Sequence, residues 1–280
     1  MTQRDHDQAA RSGAKPPVIG VFDSGVGGLT VLRELVRNIP DARYLYFGDT
    51  ARLPYGSKSA ETVARYAIDA ARFLERRGMD LLVVACNTAT ALALPAIRKA
   101  VKAPVEGVVE PGAEAAAAAT TRNRVVVIAT EATVNSHAYK LALERRHINV
   151  CEKACPLFVP LIEEGWLDHD VTQRVAHAYL DDFFYEYETG PDVLVLGCTH
   201  YPLIKPILRS VCPWRVEIVD SAECTARVVA QKLAAPAAAQ HASSPDISYF
   251  ATDSVERFRR VGQIFMGHAI AKVELVDIGD

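Results

Sequence analysis

Short unbroken apolar runs recur along the chain, closed by Gly, Asp or Asn and followed by helix-like stretches: residues 18–22, 43–47, 81–85, 105–109, 125–129, 193–196 and 216–219. A strand with one wet face alternates apolar and polar residues, whereas a strand covered on both faces is apolar throughout. Continuous strands separated by helices therefore predict an α/β protein with largely parallel sheets flanked by helices. In such sheets ligands bind beyond the carboxyl ends of the strands, where loops enter helix N-termini that carry free backbone N–H groups. The residues just after each run are the ones to examine for chemistry.

Four of those junctions carry reactive or ligand-binding groups: Asp23-Ser24-Gly25, Cys86-Asn87-Thr88, Thr130, and Cys198-Thr199-His200. The segments LLVVACNTAT and VLVLGCTHYP end alike, with a small residue, a cysteine and then hydroxyl or amide side chains. The spacing from Asp23 to Cys86 nearly matches that from Thr130 to Cys198, which suggests two similar halves and a cleft with quasi-twofold character. The expected division is a disordered tail over 1–17, a first domain over 18–111 plus 221–280, and a second over 112–220. Pro111 and Gly112 mark the first boundary, and the Ala-, Pro- and Ser-rich stretch 235–246 is a linker without a core. A terminal strand-helix-strand pattern is expected to pack back on the first half.

The glycines after Asp23 invite a phosphate-loop reading, but the Gly-Lys-Ser/Thr ending is missing and Thr30 stands where a dinucleotide fingerprint needs glycine. A plain turn and a loop for an anion or an ammonium group both stay open. Tyr55-Gly56 closes a loop whose Pro54 and Gly56 fix its path and which can offer backbone N–H groups to a carboxylate.

A buried cysteine is usually only a small apolar residue. Cys86 and Cys198 differ in position, because a helix N-terminus after each would lower a thiol pKa from ~8.5 toward neutrality. His200 titrates near neutrality and is placed to serve Cys198. Two thiols on opposite walls of one cleft fit a reaction that takes a proton from one face of a carbon and returns a proton to the other. Each positioned acid or base contributes ~10² to 10⁴ in rate. Ser24, Asn87, Thr88, Thr130 and Thr199 supply hydrogen bonds for the anion formed between the two steps.

Composition removes other classes. With 31 basic and 34 acidic residues spread along 280, the net charge of −3 gives no stripe for nucleic acid or anionic membrane. No apolar run reaches the ~18 residues of a spanning helix, and the polar residues 1–17 lack the apolar core of an export signal. The expectation is a soluble cytoplasmic protein whose six cysteines are reduced. Cys151 and Cys155, without a second pair at zinc-finger spacing, are read as packing residues rather than metal ligands.

The segments VIGVFDSGVGGLTV, FGDTARLPYG, VVACNTATA, CPLFVPLIEEG and VLGCTHYPL, in this order, closely resemble the motifs of bacterial glutamate racemases. The resemblance runs from Val18 to about Val276. It implies two facing α/β domains that interconvert L- and D-glutamate without a cofactor or metal, supplying D-glutamate for peptidoglycan. It also implies roles: Cys86 and Cys198 as paired acid/base thiols, Asp23 and His200 as their partners, and Glu163 as a further polar group beside His200. Asp23, Ser24, Tyr55, Gly56, Asn87, Thr88, Thr130, Thr199 and His200 would hold the substrate. Ala129 departs from the glycine often found before the threonine. A homodimer is the expected assembly. Racemases of the same superfamily acting on aspartate or a hydantoin, a non-catalytic role in binding DNA gyrase, and a redox thiol protein are the alternatives. The wide separation of the two thiols and the lack of Cys-x-x-Cys weigh against the redox reading.

Overall fold

The computed structural model describes residues 15–184, 190–233 and 245–279. The expected tail and the stretch 235–246 therefore fall almost wholly outside the described residues. Two all-parallel sheets organise the chain. The first contains β1 (Val18–Asp23), β2 (Arg43–Gly48), β3 (Leu81–Val84) and β4 (Val105–Gly107), joined by β9 (Asp246–Ala251) and β10 (Glu274–Leu275). Its strand order is β10-β9-β2-β1-β3-β4. The second contains β5 (Arg124–Ala129), β6 (Asn149–Ala154), β7 (Val193–Gly197) and β8 (Glu217–Asp220), in the order β6-β5-β7-β8.

Burial explains the unbroken apolar runs: β1, β3 and β7 are buried along their whole length, because helices cover both faces. The expected α/β architecture of two parallel sheets flanked by helices is the one observed. The terminal strand-helix-strand segment returns to the first sheet, where β9 pairs with β2 in register Arg43 to Asp246 through Gly48 to Ala251. Strand β6 was not expected. Its sequence NVCEKA is half polar, and it forms the sheet edge, where one face meets water. This edge position corrects one reading: Cys151 is exposed and does no packing, whereas Cys155 is buried.

Pro111 and Gly112, expected to mark a domain boundary, lie inside the helix Val109–Ala119. Proline is tolerated in a first helical turn, where its missing N–H would lack a partner anyway. Gly112 packs closely on Tyr139, since a Cβ there would sit 3.2 Å from its ring and hydroxyl. No helix among the described residues is long and apolar enough to cross a membrane.

Candidate active site

The loops that follow β1 and β3 meet the loops that follow β5 and β7. Thr30 donates its hydroxyl to the carbonyl of Thr199 at 2.9 Å, and a Cβ on Gly27 would lie 2.2 Å from Thr199 Oγ1 and 2.5 Å from His200 Nδ1. The glycine therefore lets the first loop reach the Cys198-Thr199-His200 turn. A second seam joins the Thr88 hydroxyl to those of Thr130, at 2.9 Å, and Thr133, at 3.2 Å. Gly56 packs on Thr130, where a Cβ would come within 3.3 Å. These contacts bring the carboxyl ends of both sheets to one place.

On the first wall, Cys86 is the N-cap of the helix Asn87–Ala100 and accepts the Ala89 N–H at 3.4 Å. Its thiol points to Ser24 Oγ at 3.5 Å. Burial and the neighbouring Asp23 carboxylate push this thiol up to about 12, against the lowering effect of Ser24 and the Ala89 N–H. This corrects the expectation of a thiol brought toward neutrality: the helix N-terminus is present, but desolvation outweighs it. Asp23 ends β1 and is 1% exposed. Burial raises its carboxyl too, opposed by N–H bonds from Gly25 and Gly28 and by the charge of His200. Asp23 Oδ2 accepts the Gly25 N–H at 2.9 Å, while Oδ1 finds no hydrogen-bond partner among the described residues.

The second wall is built differently. Cys198 precedes only a 3₁₀ turn, Tyr201–Ile204, so the helix N-terminus expected there is replaced by a charged partner. Its sulfur lies 3.9 Å from His200 Nδ1, and His200 Nε2 lies 3.1 Å from Glu163 Oε1. Burial would lower the imidazole, yet hydrogen bonding and charge from Cys198 and Glu163 raise it to about 10. Burial also acts to raise Glu163, but His200 and Arg257 hold its carboxyl below the usual range. Arg257 Nη2 meets Glu163 Oε2 at 2.9 Å, and Phe265 from the same helix packs edge-on to the His200 ring at 5.1 Å. The series Cys198, His200, Glu163 and Arg257 thus keeps a positive imidazolium beside a sulfur.

The sequence-predicted binding groups gather around this seam. Asn87, Thr88 and Thr199 are buried, while Ser24, Gly56 and Thr130 are partly exposed. Tyr55 is placed there with a restriction: its hydroxyl is spent on Asp49 Oδ2 at 2.5 Å and its ring is buried. Only its backbone is left to face a ligand. Thr133, Tyr139, Arg257 and Phe265 escaped sequence reading. The spacing Thr130-x-x-Thr133 at a helix start was a usable signal for one of them, because an N-cap side chain meets the residue three positions on, in the first turn. Among the described residues no group of three or more His, Cys, Asp or Glu side chains is placed to hold a metal ion.

Fold and site together define a two-sheet α/β protein with a buried thiol on each side of one seam. The family model for Asp/Glu/hydantoin racemase matches residues 19–229. A glutamate racemase of Koribacter versatilis is 59% identical, covering 94% of this chain and 98% of its own length. Glutamate racemase from Francisella tularensis, solved in complex with D-glutamate, superposes with a TM-score of 0.83 at 35% identity, covering 94% of this chain and 98% of that one. The Thermus thermophilus enzyme, solved with beta-chloro-D-alanine, gives 0.80 at 43% identity, covering 94% and 97%. The chain belongs to the Asp/Glu/hydantoin racemase family.

Proposed function

We propose that this protein racemises glutamate by moving protons between the substrate α-carbon and the two thiols, Cys86 and Cys198, without a cofactor. The observation that carries the reading is the matched pair of strand-end cysteines, each with its own ionisable neighbour, on the two sides of a seam closed by Gly27 against His200 and Thr88 against Thr130. The relatives named glutamate racemase select the substrate.

The two walls are poised oppositely. Cys86 keeps its proton, because burial and Asp23 both resist a negative sulfur. The imidazolium of His200, maintained by Glu163, stands 3.9 Å from the Cys198 sulfur. For the enantiomer that presents its Cα–H to Cys198, that sulfur takes the proton and the Cα–H bond breaks. The electron pair is held by the substrate carboxylate as an enediolate, and Cys86 delivers its proton to the opposite face. The products are the mirror-image amino acid and a thiolate at Cys86. For the other enantiomer the roles reverse, with Asp23 receiving and returning a proton at Cys86.

Asp23 Oδ1 and Asn87 Nδ2 are buried without a protein partner among the described residues, so an acceptor and a donor are offered to a ligand. Asp23 and Ser24 suit the ammonium group. Asn87, Thr88, Thr130 and Thr199, with the Tyr55-Gly56 backbone, suit the two carboxylates. The same reading includes the domain division 18–111 plus 221–280 and 112–220 and a cytoplasmic homodimer; the supply of D-glutamate for peptidoglycan rests on the resemblance. The test is polarimetry on the purified chain with L-glutamate, D-glutamate and L-aspartate. Rotation of both glutamate enantiomers must decay to zero; preferential loss of the aspartate signal would favour the sister activity instead.

A further inference from the structure

Asn87 poses a problem of orientation. It is 3% exposed, and its side chain presents an oxygen on one branch and a donor nitrogen on the other. A half-turn of the amide exchanges them, so something must decide which end meets a carboxylate. The Nδ2 group is the branch without a protein partner among the described residues. The Oδ1 branch accepts a hydrogen bond from the Tyr139 hydroxyl at 2.7 Å.

Tyr139 comes from the other side of the seam, in the helix Ala138–Glu144, and is fully buried. Two glycines shape its slot. A Cβ on Gly112 would lie 3.2 Å from the ring and hydroxyl, and one on Gly197 would lie 3.1 Å from the opposite ring edge. Gly197 directly precedes Cys198, and Asn87 directly follows Cys86, so this one ring spans both cysteine junctions. A phenol has a single proton, and here burial holds it on the oxygen, since Tyr139 is shifted well upward by desolvation. The neutral hydroxyl can therefore donate, and the 2.7 Å contact places the Asn87 amide oxygen as its acceptor, with Ser221 as a second neighbour of the phenol.

We propose that Tyr139 is a positioning residue whose hydroxyl locks the Asn87 amide with its N–H groups turned toward the carboxylate of the bound amino acid. The proposal rests on the substrate reading above, and it adds the group that sets the polarity of the carboxylate subsite. The carboxylate meant is the one remote from the reacting α-carbon, where no charge develops; the interaction there binds ground state and transition state alike, and its loss belongs in KM rather than kcat.

The experiment is a double-mutant cycle with Tyr139→Phe, Asn87→Ala and the double variant, followed by racemisation kinetics in both directions and by thermal unfolding without substrate. Phenylalanine keeps the ring that fills the slot. Tyr139→Phe is expected to raise KM for both enantiomers about tenfold, the loss of one charge-directed hydrogen bond, with kcat changed less than about threefold. In the Asn87→Ala background the same change is expected to move KM less than about twofold, and its drop in melting temperature is expected to shrink as well. Equal effects in both backgrounds, or a fall in kcat at constant KM, would overturn the proposal. If the unaltered chain leaves glutamate untouched while the unfolding cycle shows coupling, the substrate reading falls and the Tyr139–Asn87 lock stands. If the chain racemises glutamate and both cycles are additive, the lock falls and the substrate reading stands.

Discussion

Glu163→Gln removes one negative charge from the Cys198 wall and leaves the shape nearly unchanged. Glu163 Oε1 is 3.1 Å from His200 Nε2, and its hydrogen bond and charge are among the causes that raise the imidazole to about 10. A neutral amide in its place turns a charge-assisted bond into an ordinary one, a difference on the order of 1.4 kcal/mol, or one pKa unit. The imidazolium should then titrate about one unit lower. Enantiomers have equal free energy, so kcat/KM must stay equal in the two directions; it should fall about tenfold in both. The asymmetry of the site appears elsewhere. With α-deuterated substrates, the isotope effect should grow for the enantiomer deprotonated by Cys198 and change little for the other.

The same variant reports on stability. His200 is raised from an ordinary 6.5 to about 10, so its contribution is complete below pH about 6.5 and is lost as pH climbs toward 10. Glu163 is held below its ordinary 4.5, so its contribution is present above that value and is lost as pH falls through the lowered one. The gap in melting temperature between the unaltered chain and Glu163→Gln should be widest near pH 5 to 6.5 and should narrow toward pH 10. A polarimetric pH profile from 6 to 11 and a matching set of melting curves measure both effects. An alkaline limb that does not move, with equal isotope effects for the two enantiomers, would refute the coupling of Glu163 to Cys198 through His200.

Gly27→Ala should reduce kcat/KM by about 10² or more with little loss of fold, because the added methyl must displace the buried Thr199 hydroxyl and the His200 ring; steady-state kinetics alongside a melting curve separates the two effects. Asp192→Asn should lower the melting temperature at pH 7. Burial opposes ionisation of Asp192, but Thr120, Thr121 and Arg122 donate to it and hold its carboxyl low, so its stabilisation is present at neutral pH and disappears as pH falls through the lowered value. The melting curves of the two proteins should converge in acid.

The sheets were legible because double burial leaves a plain mark: the runs at 18–22, 81–85 and 193–196 became β1, β3 and β7 nearly residue for residue. The edge strand β6 left no such mark, since a strand open to water needs no apolar run. The thiols, Asp23 and His200 were visible by the same logic, as polar groups at the ends of buried strands. Cys86 shows where reading ran out. Its helix N-terminus can be seen in the sequence, but the depth of burial cannot, and that reverses the direction of its shift. Arg257 and Phe265 reach the site from a helix far along the chain whose pattern is that of an ordinary amphipathic surface helix. Only the fold brings them to Glu163 and His200.

The direct test of two thiols serving opposite faces of one carbon is proton exchange in D₂O by Cys86→Ser and Cys198→Ser. Each variant should scarcely racemise glutamate, yet exchange the α-proton of one enantiomer only, with the preferred enantiomer reversed between the two. Exchange of both enantiomers by either variant would contradict the account.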